Sequence, residues 1–215
     1  MERDFRVLVT GFEPFGGSGT NPSALVAERL AGDRPQGAAL RTAVLPVVGG
    51  TAPGSARAAL DALLDEFAPD AVIHFGEAHL RGEVCVERLA VNLREYRIAD
   101  NAGAVADGEP VVDGAPSAHW ATLPVHRILA AVQDAGVPAA FSLSAGLYLC
   151  NEVMFHTLDC GSREGTPRMA GFVHVPQLEA QHRERPVAAR PIPEHELLAA
   201  ARAAVEATVR ALHGR

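Results

Sequence analysis

Cysteine is scarce in this chain of 215 residues: it occurs three times, at Cys85, Cys150 and Cys160, with no Cys-x-x-Cys pair. So odd and sparse a set excludes a zinc ribbon, does not suggest a disulfide scaffold, and fits a reducing cytoplasm. Positive charge is also short, since 19 Lys and Arg against 26 Asp and Glu leave a net charge of -7. That balance argues against sequence-independent nucleic-acid binding, which needs a basic surface. No apolar run approaches membrane-spanning length, and the charged start Met1-Glu2-Arg3-Asp4 is unlike a signal peptide. Repeats, low-complexity tracts and domain linkers are missing too, so residues 1–215 are expected to form one domain around one core.

Four familiar motifs are each missing a part. Gly11-Phe12-Glu13-Pro14-Phe15-Gly16-Gly17-Ser18 has the glycine spacing of a phosphate loop, but Gly17 stands where the lysine must be. The run from Gly17 to Pro22 lacks the third glycine of a dinucleotide fingerprint. His195-Glu196-Leu197-Leu198-Ala199 opens like a zinc-peptidase helix and then puts alanine at the second ligand. Ser144 has Ser142 where a serine nucleophile elbow needs its leading glycine.

What is present is an alternation of strand-like and helix-like segments. Strands are expected at residues 6–10, 40–48, 71–75, 84–93, 139–144 and 169–175. Helices are expected after Asn21-Pro22, with Asn21 as cap, and at residues 56–67, 124–136 and 194–213. Residues 99–119 read as a long functional loop, and residues 176–193 as a Pro- and Arg-rich connection. The order predicts an α/β fold, a mostly parallel twisted sheet flanked by helices.

Within that frame, Ala145-Gly146-Leu147-Tyr148-Leu149-Cys150-Asn151 puts a single thiol where a strand ends and a helix begins. Unpaired N–H groups and the positive end of the helix dipole favour thiolate there, and the same N–H groups suit an oxyanion. His174 follows near the end of an apolar strand, where sites of open α/β sheets lie. Glu87 stands in apolar surroundings where a carboxylate needs a partner such as an imidazole N–H. His74, inside an apolar strand, reads as structural, and His126, His182 and His213 as surface residues. If residues 84–93 form a regular strand, Cys85 shares a face with Glu87 and lies near the same site, as a secondary oxidation target.

Four segments together resemble the pyrrolidone carboxyl peptidases, or pyroglutamyl peptidase I, a family of cysteine peptidases. They are Leu8-Val9-Thr10-Gly11-Phe12-Glu13-Pro14-Phe15-Gly16-Gly17 with Asn21-Pro22, then Glu87-Arg88-Leu89-Ala90-Val91-Asn92, then Ser144 to Asn151, and last Gly171-Phe172-Val173-His174-Val175-Pro176. The resemblance runs from about residue 5 to about residue 180. It implies Cys150 as nucleophile, His174 as base and Glu87 as the group orienting that base. It implies that Phe12 and Phe15 sandwich the pyroglutamyl ring, that Tyr148, Leu149 and Val153 line the slot, and that Arg97 assists near the oxyanion. It further implies a three-layer sandwich, a cytoplasmic homotetramer, no metal or organic cofactor, and N-terminally pyroglutamylated peptides as substrates.

The chain departs from the family pattern at Ala99 for a proline, at His79-Leu80 before Arg81, at Glu77, and at His119-Trp120 for a Tyr-Phe pair. These departures bear on loop conformation and pH preference. Two other readings stand beside the peptidase: a cysteine amidase for another small cyclic or acylated amide, and a binding protein holding an anion on the N-terminal glycine-rich turn.

Overall fold

The computed structural model describes residues 4–214; the charged start at Met1–Arg3 lies outside the described residues. The chain opens with β1 (Phe5–Phe12), whose side chains alternate between two apolar clusters. Helix α1 (Pro22–Leu30) follows the glycine-rich turn, capped as expected: the Asn21 side chain accepts from the Ser23 N–H and Pro22 takes the first turn. Gly11 has no room for a side chain, because a Cβ would stand 2.0 Å from the Ser23 carbonyl oxygen. The turn therefore folds flat onto the start of α1.

Next come β2 (Ala38–Leu45), α2 (Ala56–Phe67) and β3 (Ala71–Glu77). The segment expected as one strand over residues 84–93 is divided at Arg88 into β4 (Val84–Glu87) and β5 (Leu89–Val91). The two halves belong to different sheets: β4 joins the central sheet, whereas β5 pairs with β8 (Ala118–Trp120). The long loop likewise holds a short strand, β7 (Asp107–Glu109), which pairs with β6 (Arg94–Glu95) just before the loop. Then follow α3 (Val125–Asp134), β9 (Ala139–Ser142), α4 (Leu149–Glu164) and β10 (Met169–Val175). The Pro- and Arg-rich connection contains a short helix, α5 (Glu179–Glu184), before α6 (Glu194–Leu212) closes the chain.

The six-stranded sheet has the order β2-β1-β3-β10-β4-β9. All neighbours run parallel except β10 and β4, so β4 and β9 point the opposite way. Helices α1, α3 and α6 cover one face around Val7, Val9, Ile73, Phe75 and Val173. Helices α2 and α4 cover the other around Leu8, Val72, Ala170 and Phe172. This is the three-layer α/β arrangement that the alternation predicted. No helix among the described residues is long and apolar enough to cross a membrane.

Candidate active site

Cys150 lies in the first turn of α4, and the sequence around it explains its fixed position. Leu149, Val153 and Met154 are buried in the core beneath the helix. Asn151, also buried, accepts from the Val91 N–H at 2.9 Å and donates to the carbonyls of Val91 and Leu93, each at 2.9 Å. Glu152 accepts from the Gly50 N–H at 2.9 Å and from the Tyr96 hydroxyl in a very short bond. The helix start is thus held on two sides by side chains that sequence reasoning passed over. Tyr148 makes no side-chain cap, which leaves the first amides of α4 without a side-chain acceptor.

His174 comes from β10 on the α4 face, two residues after Phe172. Its Nδ1 hydrogen-bonds Glu87 Oε1 at 2.8 Å. Glu87 is fully buried at the end of β4, and His174 is only 4% exposed, so this pairing is shielded from water. The two residues meet because β10 and β4 run antiparallel: His174 sits opposite Cys85, and Glu87 lies diagonally from it on the same face. Arg81 completes the group, donating to Glu87 Oε1 at 2.6 Å and to the Ser144 carbonyl at 2.7 Å. It ties the Glu87 carboxylate to the loop that leads into Cys150.

The thiol reaches this group across a glycine. Gly76 is the β3 residue in register with His174, and a Cβ there would stand 3.0 Å from Cys150 Sγ and 2.6 Å from the Phe172 ring. Any side chain at Gly76 would occupy the space of the sulfur. The Phe172 ring packs against His174 at 4.6 Å and against Phe12 at 6.3 Å.

Opposing influences act on the two ionisable groups. Burial pushes the Cys150 thiol up from 9.0 to about 12, and the Glu87 charge adds to this. Its own backbone N–H and Arg81 pull the other way without prevailing. The amide at the helix start thus acts on the thiol in the expected direction, against desolvation. Glu87 behaves differently. Burial pushes its carboxyl up, but hydrogen bonding and charge from His174, with help from Ser142 and Arg81, outweigh it and hold the group below 4.5. The Ser142 hydroxyl gives its own bond, at 3.3 Å, to the Ser144 carbonyl, and Glu87 Oε2 has no bond of good geometry among the described residues.

The residues named for the substrate slot fall into two groups. Phe15 and Tyr148 are partly buried at the surface, with ring centroids 6.0 Å apart, and Tyr96 meets Tyr148 edge-on at 4.8 Å. Phe12, Leu149 and Val153 are core residues and can bound a slot only from below. Arg97 is exposed at the rim, and its charge bears on His79. His74 is structural, as expected: it bridges the hydroxyls of Thr10 and Thr157, and burial drives its pKa down to about 3. Cys85 is buried opposite His174, and burial raises its thiol as well. The one convergent group of metal-ligand type among the described residues, Asp61 with His156 and Cys160, lies further along α4.

Known proteins resemble this chain over most of its length. Residues 5–211 match the family model for pyroglutamyl peptidase. The pyrrolidone-carboxylate peptidase of Pyrococcus furiosus is 45% identical over 176 residues, covering 82% of this chain and 83% of the relative. That of Chromobacterium violaceum is 42% identical over 203 residues, covering 93% and 90%. A crystal structure of the Pyrococcus furiosus pyrrolidone carboxyl peptidase superposes with a TM-score of 0.92 at 40% identity, over 97% of this chain and all of that one.

Proposed function

The chain belongs to the pyroglutamyl peptidase family, and from that membership we propose that it removes N-terminal pyroglutamate with Cys150 as nucleophile, His174 as base and Glu87 orienting that base. Family membership supports the reaction. The observation that carries the division of labour is the shielded His174–Glu87 bond at 2.8 Å, on a strand position whose neighbour Gly76 is empty of side chain and covered by Cys150 Sγ.

In this reading the resting thiol keeps its proton. Glu87 accepts from His174 Nδ1–H, so Nε2 holds the lone pair that acts as base. As Sγ attacks the carbonyl joining the lactam residue to the next amino acid, Nε2 takes the thiol proton. The carbonyl oxygen gains the electron pair and is received by the first amides of α4, that of Cys150 among them. The developing imidazolium faces the anionic Glu87, which offsets the charge that Glu87 imposes on a bare thiolate. Collapse of the intermediate breaks the C–N bond, His174 returns the proton to the leaving amine, and a thioester remains. Water, deprotonated by His174, then releases pyroglutamate and restores the thiol.

Arg81 and Asn151 act through others: the first holds Glu87, the second holds the helix that carries Cys150. Phe15 and Tyr148 wall the slot, Phe12, Leu149 and Val153 shape its floor, and Arg97 assists from the rim. A compact neutral ring suits such a lining, whereas an uncyclised glutamyl residue would bring charges without partners. The same reading makes residues 1–215 one domain acting on N-terminally pyroglutamylated peptides as a cytoplasmic homotetramer.

The test is release of a fluorescent amine from a pyroglutamyl amide, run beside the glutamyl and prolyl amides. Turnover of the lactam alone, lost in Cys150→Ala, supports the assignment. A folded wild type that turns over none of the three would remove it.

A further inference from the structure

About 15 Å beyond Cys150 along α4, at the helical rise per residue, stands a second grouping of thiol, imidazole and carboxylate. His156 and Cys160 are one turn apart on the same face of α4, and Asp61 faces them from α2. The His156 Nε2 lies 2.5 Å from Asp61 Oδ1 and 3.8 Å from Cys160 Sγ, and all three atoms fall within 4.8 Å of one another. His156 and Cys160 are buried, while Asp61 opens the group to solvent.

Hydrogen bonding serves only part of this convergence: His156 and Asp61 form a close pair, and the Cys160 sulfur is left at 3.8 Å from the same nitrogen. One ring nitrogen faces both the carboxylate and the sulfur, and it has a single proton or lone pair to offer them. A cation at their centre would satisfy all three. Tetrahedral zinc, with ligands at about 2.0–2.3 Å, needs donor atoms about 3.3–3.8 Å apart. The imidazole–sulfur separation already falls there; the exposed Asp61 oxygen, 2.5 Å from the ring nitrogen and within 4.8 Å of the sulfur, has to shift by about 1 Å. A thiolate, an imidazole and one carboxylate form a donor set for zinc-class ions rather than for calcium or magnesium, which seek oxygen. Three protein ligands leave a fourth position for water on the Asp61 side.

We propose that Asp61, His156 and Cys160 form a binding site for a divalent cation of the zinc class, clasping α2 to α4 away from the site of peptide cleavage. Arg57 acts as its brake. One of its NH2 groups lies 3.3 Å from His156 Nδ1, while the other donates to the Val111 carbonyl at 2.6 Å. An imidazole bound to metal through Nε2 carries its proton on Nδ1, so Arg57 must turn from that nitrogen for the ion to enter. A residue with an acceptor there, as in Arg57→Gln, is expected to tighten binding.

Cobalt(II) is the probe, titrated into the purified full chain while the thiolate-to-cobalt absorption band is followed. The expected result is one ion per chain in wild type and in Cys150→Ala, displaced by zinc. The band should be absent in Cys160→Ser and affinity at least tenfold weaker in Asp61→Asn, a surface change that spares the fold. Zinc should raise the melting temperature of Cys150→Ala but not that of the variant with Asp61→Asn added. A band that vanishes in Cys150→Ala and survives in Cys160→Ser would assign the ion to the other thiol and overturn the proposal. No band in wild type would overturn it equally.

Discussion

Helix α4 carries a cysteine near each end, and each meets a histidine and a carboxylate, yet the two groupings differ in which ring nitrogen is engaged. At the N-terminal end the carboxylate takes Nδ1 of His174 and the other nitrogen is left for the thiol. Further along, Asp61 and Cys160 share Nε2 of His156, and Nδ1 faces the Arg57 guanidinium. The first arrangement can pass a proton through the ring; the second can only converge on something. Residue type is common to both, so the division we propose between acid–base chemistry and ion binding rests on the direction from which the carboxylate arrives.

The comparison is broken most decisively by exchanging thiols for hydroxyls or methyls. Cys150→Ala or His174→Ala is expected to lower kcat/KM for a pyroglutamyl amide by at least about 10⁴-fold. Cys160→Ser and His156→Gln should stay within about threefold of wild type. Comparable losses at both ends of the helix would erase the distinction.

Glu87→Gln sharpens it next. The amide donates toward Nδ1 and forces the wrong tautomer, at an expected cost of about 10²–10⁴-fold in kcat. The same variant has a signature in acid. Because the folded Glu87 carboxyl lies below 4.5, its stabilisation is present above that value and is lost as pH falls through the folded pKa. Acid unfolding followed by circular dichroism should therefore be shallower below pH 4.5 in Glu87→Gln than in wild type.

Gly76→Ala comes third. A methyl aimed at Cys150 Sγ and Phe172 should displace the sulfur and reduce kcat by about 10–100-fold, with folding costing about 1–3 kcal/mol more. The smallest effect on chemistry, visible chiefly as stability, is expected for Asn151→Asp. A buried carboxylate cannot donate to the Val91 and Leu93 carbonyls, so denaturant unfolding should show a loss of about 2 kcal/mol or more.

Much of the frame was legible because it depends on local pattern. The Asn21-Pro22 cap, the β10 limits and a helix beginning about Cys150 follow from turn chemistry and apolar spacing read in short windows. The division at Arg88 was not, because the apolar run continues through it and only the distant β8 draws the second half away. The reversed direction of β4 is equally invisible, although it is what brings Glu87 beside His174.

In the site, Cys150, His174 and Glu87 stood out by chemistry and context. Arg81 was noticed only as a landmark after His79-Leu80, and its bond to Glu87 depends on a turn that no pattern in the run announces. Asp61, His156 and Cys160 come from two helices, and nothing in either run points to the other.

The three bonds of Asn151 have one more consequence. Its carboxamide both accepts from the Val91 N–H and donates to the Val91 carbonyl, which is the exchange made by a residue directly opposite in an antiparallel ladder. The side chain impersonates a peptide group, and the helix is grafted to the sheet as if it were a strand one residue long. The sulfur next door is thereby carried on the stiffness of pleated backbone rather than on the slack of a connecting loop.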